Sequence, residues 1–179
     1  MKDNFICHCF LDYVAMLDDL DAIDLRLLAL LQADASRANQ ALAEAAHVSP
    51  ATALRRVRRL VDAGVIERQV AIVSPARVGG LSAIVEITLD KQGAEHIAAF
   101  EARAVAEVAV QQCYRVSPGP AVALLLWVPD MAAYHALVQR LFTQDANVRN
   151  VKSFFATHRA KFEPAVTLPD ATPAARPGL

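Results

Sequence analysis

The sequence predicts an α+β protein in two parts: three short helices, then a sheet domain with the element order βαββαβ. Two observations carry this. Apolar residues recur with a helical period from Leu20 to about Ala63, and beyond Gly64 the period shifts toward two. Glycine and proline pairs, Ser74-Pro75 and Gly79-Gly80, punctuate the change.

In the first part, Leu20, Ile23, Leu27, Leu28 and Leu31 form one stripe of an amphipathic helix. Asp18, Asp19 and Asp21 supply caps and complement the helix dipole. After a polar break at 36–39, Asn39 is expected to cap a short helix through Ala46, with Leu42, Ala43 and Ala46 facing inward. His47-Val48-Ser49 makes a tight turn. Ser49 then caps a third helix with Pro50 at its first position, where a missing N–H costs nothing. Gly64 stops that helix near Ala63.

In the second part, 65–73 reads as a strand. Leu81, Ala83, Val85, Ile87 and Leu89 alternate with Ser82, Glu86 and Thr88, and Ile84 breaks the alternation. Residues 93–106 read as a helix with Ile97, Phe100 and Ala104 on one side, and 108–117 as a strand. The apolar run 121–128 suggests a central strand. Met131, Tyr134, Leu137, Val138, Leu141 and Phe142 line another helix, and 148–162 supplies the last strand. This is the order of ferredoxin-like sheets. The expected divisions are an N-terminal extension (1–17), a helix-turn-helix segment (18–64), a hinge strand and linker (65–80), a sheet domain (81–163) and a mobile tail (164–179).

Composition excludes several classes. At 179 residues and 55% hydrophobic content the chain has ample material for a packed core. No apolar run reaches the ~18 residues that span a bilayer, and the N-terminus lacks a secretion signal. Three cysteines without framework spacing suit a reducing, cytoplasmic setting. The net charge is only −1, but 49–63 holds four arginines against one acid, a local basic face.

That face belongs to the third helix. At ~100° per residue, with Val57 taken as inward, Ala53, Leu54, Leu60 and Val61 share the inner half. Thr52, Arg55 and Arg59 point outward, and Arg56 and Arg58 lie on the flanks. An apolar stripe backed by arginines, following a short helix and a three-residue turn, is what a recognition helix in a DNA major groove requires. Ser49, Ala51, Thr52 and Arg55 are the candidates for base edges, and Arg56, Arg58 and Arg59 for phosphates.

These motifs together resemble the Lrp/AsnC family of transcriptional regulators. They are Leu20-Asp21-Ala22-Ile23-Asp24, the stretch LLALLQAD, Val48-Ser49-Pro50, RRVRRL, Gly64-Val65-Ile66, QCYRV and VPDMAAY. The resemblance spans about 17–163. It implies a winged-helix-like DNA-binding domain, a homodimer that assembles further, often to an octamer, and an amino acid or related metabolite as effector. That effector would sit near the loop between the central strands, here Ser117, Pro118, Gly119, Pro120 and Ala121. The loop departs from the family's Thr-Gly-x-x-Asp-like pattern, because Pro118 stands at the glycine and Ala121 at the aspartate. Proline removes a backbone donor and alanine cannot neutralise an ammonium group, so altered or absent amino-acid specificity is expected.

Other constellations carry less. Cys7-His8-Cys9 crowds three ligands together with no second cluster, so no metal or cofactor is expected. Met16, just before the family-like opening, reads as an alternative start. Cys113 reads as a packing thiol, and Trp127, Phe154 and Phe155 as core or interface residues. Some sirohaem decarboxylases resemble the family in both domains, but 110–128 offers only Arg115 as a charged group, and no enzyme is expected. An RNA-binding stacking platform is missing as well.

Overall fold

The computed structural model describes residues 20–169, which form two compact units. One contains the chain up to Ala71 together with the segment from Glu163, and the other is Ile72–Phe162. The expectations for Cys7, His8, Cys9, Met16, Asp18 and Asp19, and for the tail beyond 169, lie outside the described residues.

In the first unit, α1 (Ala22–Ala33) starts at Asp21, whose carboxylate accepts hydrogen bonds from the Ile23 and Asp24 N–H groups, each at 2.9 Å. The Asp24 carboxylate accepts in return from the Asp21 N–H at 3.2 Å, a reciprocal capping box. Helix α2 (Asn39–Ala46) has Ala38, not Asn39, at its cap. Asn39 is instead the first helical residue, and its side-chain amide donates to the Pro50 carbonyl at 2.9 Å. That bond ties the start of α2 to the start of α3. His47 takes the left-handed conformation, φ 57°, and closes α2. Helix α3 (Pro50–Asp62) is capped by Ser49, whose Oγ accepts from the Thr52 N–H at 3.2 Å. Leu27, Leu42, Ala43, Ala46 and Ala53 form the core between the three helices, with Ile23, Leu31 and Val57 packed against it.

The tail was expected to be mobile from Pro164. Within the described residues, Val166 is instead held by the Gln32 side chain, which accepts from its N–H at 2.7 Å and donates to its carbonyl at 3.1 Å. A primary amide offers a donor and an acceptor side by side, so it pairs with one extended residue as a neighbouring strand would.

The hinge strand expected at 65–73 does not form. The segment is irregular, and Val70, Ile72 and Val73 are exposed. A strand exists by pairing, and among the described residues no neighbouring strand takes up its N–H and C=O groups. A single turn, α4 (Pro75–Val78), follows.

The second unit is a four-stranded antiparallel sheet of β1 (Leu81–Leu89), β2 (Val110–Arg115), β3 (Val122–Val128) and β4 (Val148–Phe155), in the order β2-β3-β1-β4. Helices α5 (Ala94–Ala106) and α6 (Met131–Val138) cover one face, and α6 continues as a π-helical turn, Gln139–Thr143. The fold is thus the ferredoxin-like α+β arrangement. Strand β4 ends seven residues before the expected Phe162, and 156–162 is irregular. The core joins Ala83, Val85, Ile87 and Leu89 of β1 and alternate residues of β3 to Phe100, Ala104, Leu137, Leu141 and Phe142. The opposite sheet face carries no helix of this unit and exposes Ile84, Tyr114 and Phe154. Met131, expected to line the helix, is exposed as well.

Candidate nucleic-acid interface and effector loop

Which side of α3 faces solvent is decided by one carboxylate. Asp24 is fully buried, and an ionised carboxylate away from water needs its lone pairs filled. The arginines of α3 fill them. Arg56 donates to Asp24 Oδ1 at 3.0 Å and to Asp21 Oδ2 at 2.6 Å, and Arg59 donates to Asp24 Oδ2. The Asp24 N–H and, after it, the Arg56 guanidinium lower the Asp21 carboxyl to about 2. The two aspartates favour the charged form of Arg56 in turn.

The helix is therefore turned relative to the sequence expectation. Ala53 and Leu60 are buried and Val57 is half-buried, as expected, but Leu54 and Val61 are exposed, at 42% and 47%. Arg56 and Arg59, expected on phosphates, are drawn into the contact with α1. The inward direction is set by Ala53, Leu60 and the Arg56–Asp24 pair, about 65° from the direction assumed with Val57 at its centre. A periodicity of apolar residues gives no weight to a buried ion pair. Asp24 followed at helix-packing distance by two arginines was the missed signal.

The outward stripe is now Ala51, Leu54, Arg55, Arg58 and Asp62, all exposed. Together with Arg59 and Ala63 they line an open concavity along the helix. Arg55 and Arg58 have no ion-pair partner among the described residues. Ser49 and Thr52 are partly committed elsewhere: their hydroxyls lie 2.9 Å apart, and Ser49 Oγ also serves the cap.

The loop Ser117, Pro118, Gly119, Pro120, Ala121 joins β2 to β3, but β2 is an edge strand of the sheet and not a central one as expected. Ser117, Pro118 and Gly119 are exposed, Pro120 is half-buried, and Ala121 is buried with its N–H donating to the Ile87 carbonyl at 2.8 Å. Gly119 takes φ 129°, a conformation that side chains avoid. Gly119 and Pro120 border a cavity of about 230 Å³ with Glu86, Thr88, Asn150 and Lys152. Glu86 faces Lys152, and Thr88 faces Asn150, across the β1–β4 register. These four were absent from the sequence-derived site because they are remote in sequence, and only the strand pairing brings them to the loop. Arg115 is held by Glu101 through two bonds, at 2.6 and 3.0 Å. Cys113 is half-buried, and burial followed by the Glu101 charge raises its thiol pKa.

No helix among the described residues is long and apolar enough to cross a membrane. Residues 20–67 match a winged helix-turn-helix DNA-binding family, and 82–166 match the Lrp/AsnC ligand-binding domain family. A helix-turn-helix-type transcriptional regulator of Haemophilus influenzae is 36% identical over 154 residues, covering 86% of this chain and 92% of its own length. The Bkd operon transcriptional regulator of Pseudomonas aeruginosa is 34% identical, with 77% and 91% covered. A solved transcriptional regulator from Neisseria meningitidis, in complex with L-methionine, is similar with a TM-score of 0.72 at 27% identity, covering 83% of this chain and 96% of that one.

Proposed function

Because the chain belongs to the Lrp/AsnC family of transcriptional regulators, we propose that it reads its operator through Ala51, Leu54, Arg55 and Arg58 of α3. The single observation that carries this is the division among the four arginines of α3. Two are bound to Asp21 and Asp24, and two are exposed with no ion-pair partner among the described residues. Arg55, in the N-terminal half, is placed for a base edge. Arg58, one turn further along, is placed for a phosphate. Ser49 and Thr52 hold the helix start, and Arg56 and Arg59 set its angle.

The sheet domain provides the second half of the proposal. A small metabolite docks at Ser117–Ala121, beside the cavity that Glu86 and Lys152 border. The L-methionine complex of the Neisseria protein supports an effector of amino-acid size. In this chain the loop itself offers no carboxylate, and the nearest acid in the cavity is Glu86. The ligand set is therefore altered from the family pattern. Effector binding shifts the population of arrangements in which paired recognition helices match the spacing of the operator half-sites.

The chain acts as a regulator without a catalytic step of its own. Arg115, the one charged group on β2 and β3, is occupied by Glu101 and is not poised as a general acid or base.

Capture of genomic fragments on the full-length protein, followed by sequencing, tests the DNA reading. A shared motif upstream of genes is the expected result, and uniform recovery of the genome would contradict it. Calorimetry with the twenty amino acids tests the effector reading. No binding tighter than about millimolar, ~4 kcal/mol, is expected. A micromolar ligand weakened by Ser117→Ala would show that the loop serves an ordinary amino acid.

A further inference from the structure

The outward stripe of α3 holds one large apolar side chain in its N-terminal half, and nothing in the trihelical core uses it. Leu54 is 42% exposed, and the trihelical core takes Ala53 and Val57 of α3 without it. Along the helix its neighbours three residues back and four ahead are Ala51 and Arg58, both exposed. Arg55 follows it directly. The leucine thus sits between a small residue, which lets the helix approach a surface closely, and two cations with no ion-pair partner among the described residues, which favour a polyanion as that surface.

We propose that Leu54 reads thymine, by packing against the C5-methyl group that only this base presents in the major groove. The inference rests on the DNA-binding reading given above and deepens it. Arginine recognises the acceptors of guanine, whereas a thymine methyl offers nothing to hydrogen-bond and is recognised by apolar contact. Leu54 is the exposed side chain of the stripe suited to that contact. Ala51 is too short to fill the space alone. Val61 is similarly exposed but lies in the last turn of α3, away from the end that reaches base edges in helix-turn-helix docking.

The test uses the full-length protein and a duplex that it selects from a randomised library. Each thymine of that duplex is replaced in turn by deoxyuridine, which deletes the methyl and keeps the Watson–Crick pairing. Binding is measured for the wild type, Leu54→Ala and Val61→Ala. We expect one thymine per half-site at which the wild type and Val61→Ala lose about fourfold in affinity, the value of one buried methyl group. Leu54→Ala should bind thymine and deoxyuridine duplexes alike there. Alanine favours an exposed helix position, so this variant keeps the fold. A loss that persists in Leu54→Ala, or no sensitive thymine at all, overturns the proposal. A changed oligomeric state of Leu54→Ala by light scattering also overturns it, because the leucine would then be covered by protein. If no duplex is enriched from the library, the DNA-binding reading itself fails, which is a separate and recognisable result.

Discussion

A carboxylate with no solvent exposure leaves little freedom to the groups around it. Asp24 takes Arg56, Arg59 and the Asp21 N–H, and so divides the arginines of α3 into two that pair with it and two with no ion-pair partner among the described residues. Arg56→Ala leaves Asp24 short of a donor and should cost about 1–3 kcal/mol of stability, measured by urea unfolding. Arg58 makes no hydrogen bond or ion pair among the described residues, so Arg58→Ala should stay within about 0.5 kcal/mol of wild type. Asp21 adds a pH dependence. Its carboxyl lies at about 2 in the folded chain against 3.8 for a free side chain, held there first by the Asp24 N–H and then by Arg56. A lowered folded pKa gives stability that is complete above 3.8 and lost as pH falls toward 2. Thermal melts across that window should show a steeper loss in wild type than in Asp21→Asn. Parallel curves would mean that the carboxylate contributes nothing. The sequence showed Ser49 as a cap and Asp21 among three capping aspartates, because capping is local, but it placed the cap of α2 one residue late, at Asn39. It did not show the Asp24 pairs, since residues 32 and 35 positions apart meet only through packing.

The elements were legible where a face is buried within the chain. Strand β1 alternates as read, down to exposed Ile84, and α5 buries Phe100 and Ala104. They were misread where extension had to be matched by a partner, as at 65–73 and 156–162. Apolar, β-branched residues such as Val70, Ile72 and Val73 gave a strand-like pattern, but a ladder needs a second strand. The entry to β1 shows the opposite case, in which one residue type is imposed. Gly80 sits at φ 114°, and a Cβ there would stand 2.5 Å from Trp127 Cζ2 and 3.0 Å from the Val128 carbonyl oxygen. Gly80→Ala should therefore destabilise the sheet domain by about 1–3 kcal/mol, through both backbone strain and displacement of Trp127. Thermal unfolding followed by Trp127 fluorescence reports this directly, since it is the chain's sole tryptophan. An unchanged melt would show that the indole moves aside at no cost.

For the whole molecule, the sheet face opposite α5 and α6 is the feature left open. Ile84, Tyr114 and Phe154 are each about half exposed, at 50%, 54% and 52%, and Ile84 lies directly across from Phe154. One open, partly apolar sheet face is usually buried against a partner. We propose it as the surface of the homodimer that the sequence led us to expect. Ile84→Lys should give a monomer by light scattering at micromolar concentration, while far-UV circular dichroism stays native. A wild-type monomer would remove this assignment. The proposed reading of DNA follows from the α3 stripe that Asp24 leaves outward. Binding isotherms over a range of salt, on a selected duplex and its scrambled counterpart, test it most directly. Arg55→Ala should lose about 1–3 kcal/mol of discrimination between the two duplexes. Arg58→Ala should weaken both alike and reduce the salt slope by about one per chain bound. If both variants bind both duplexes as wild type does, α3 does not present this face to DNA.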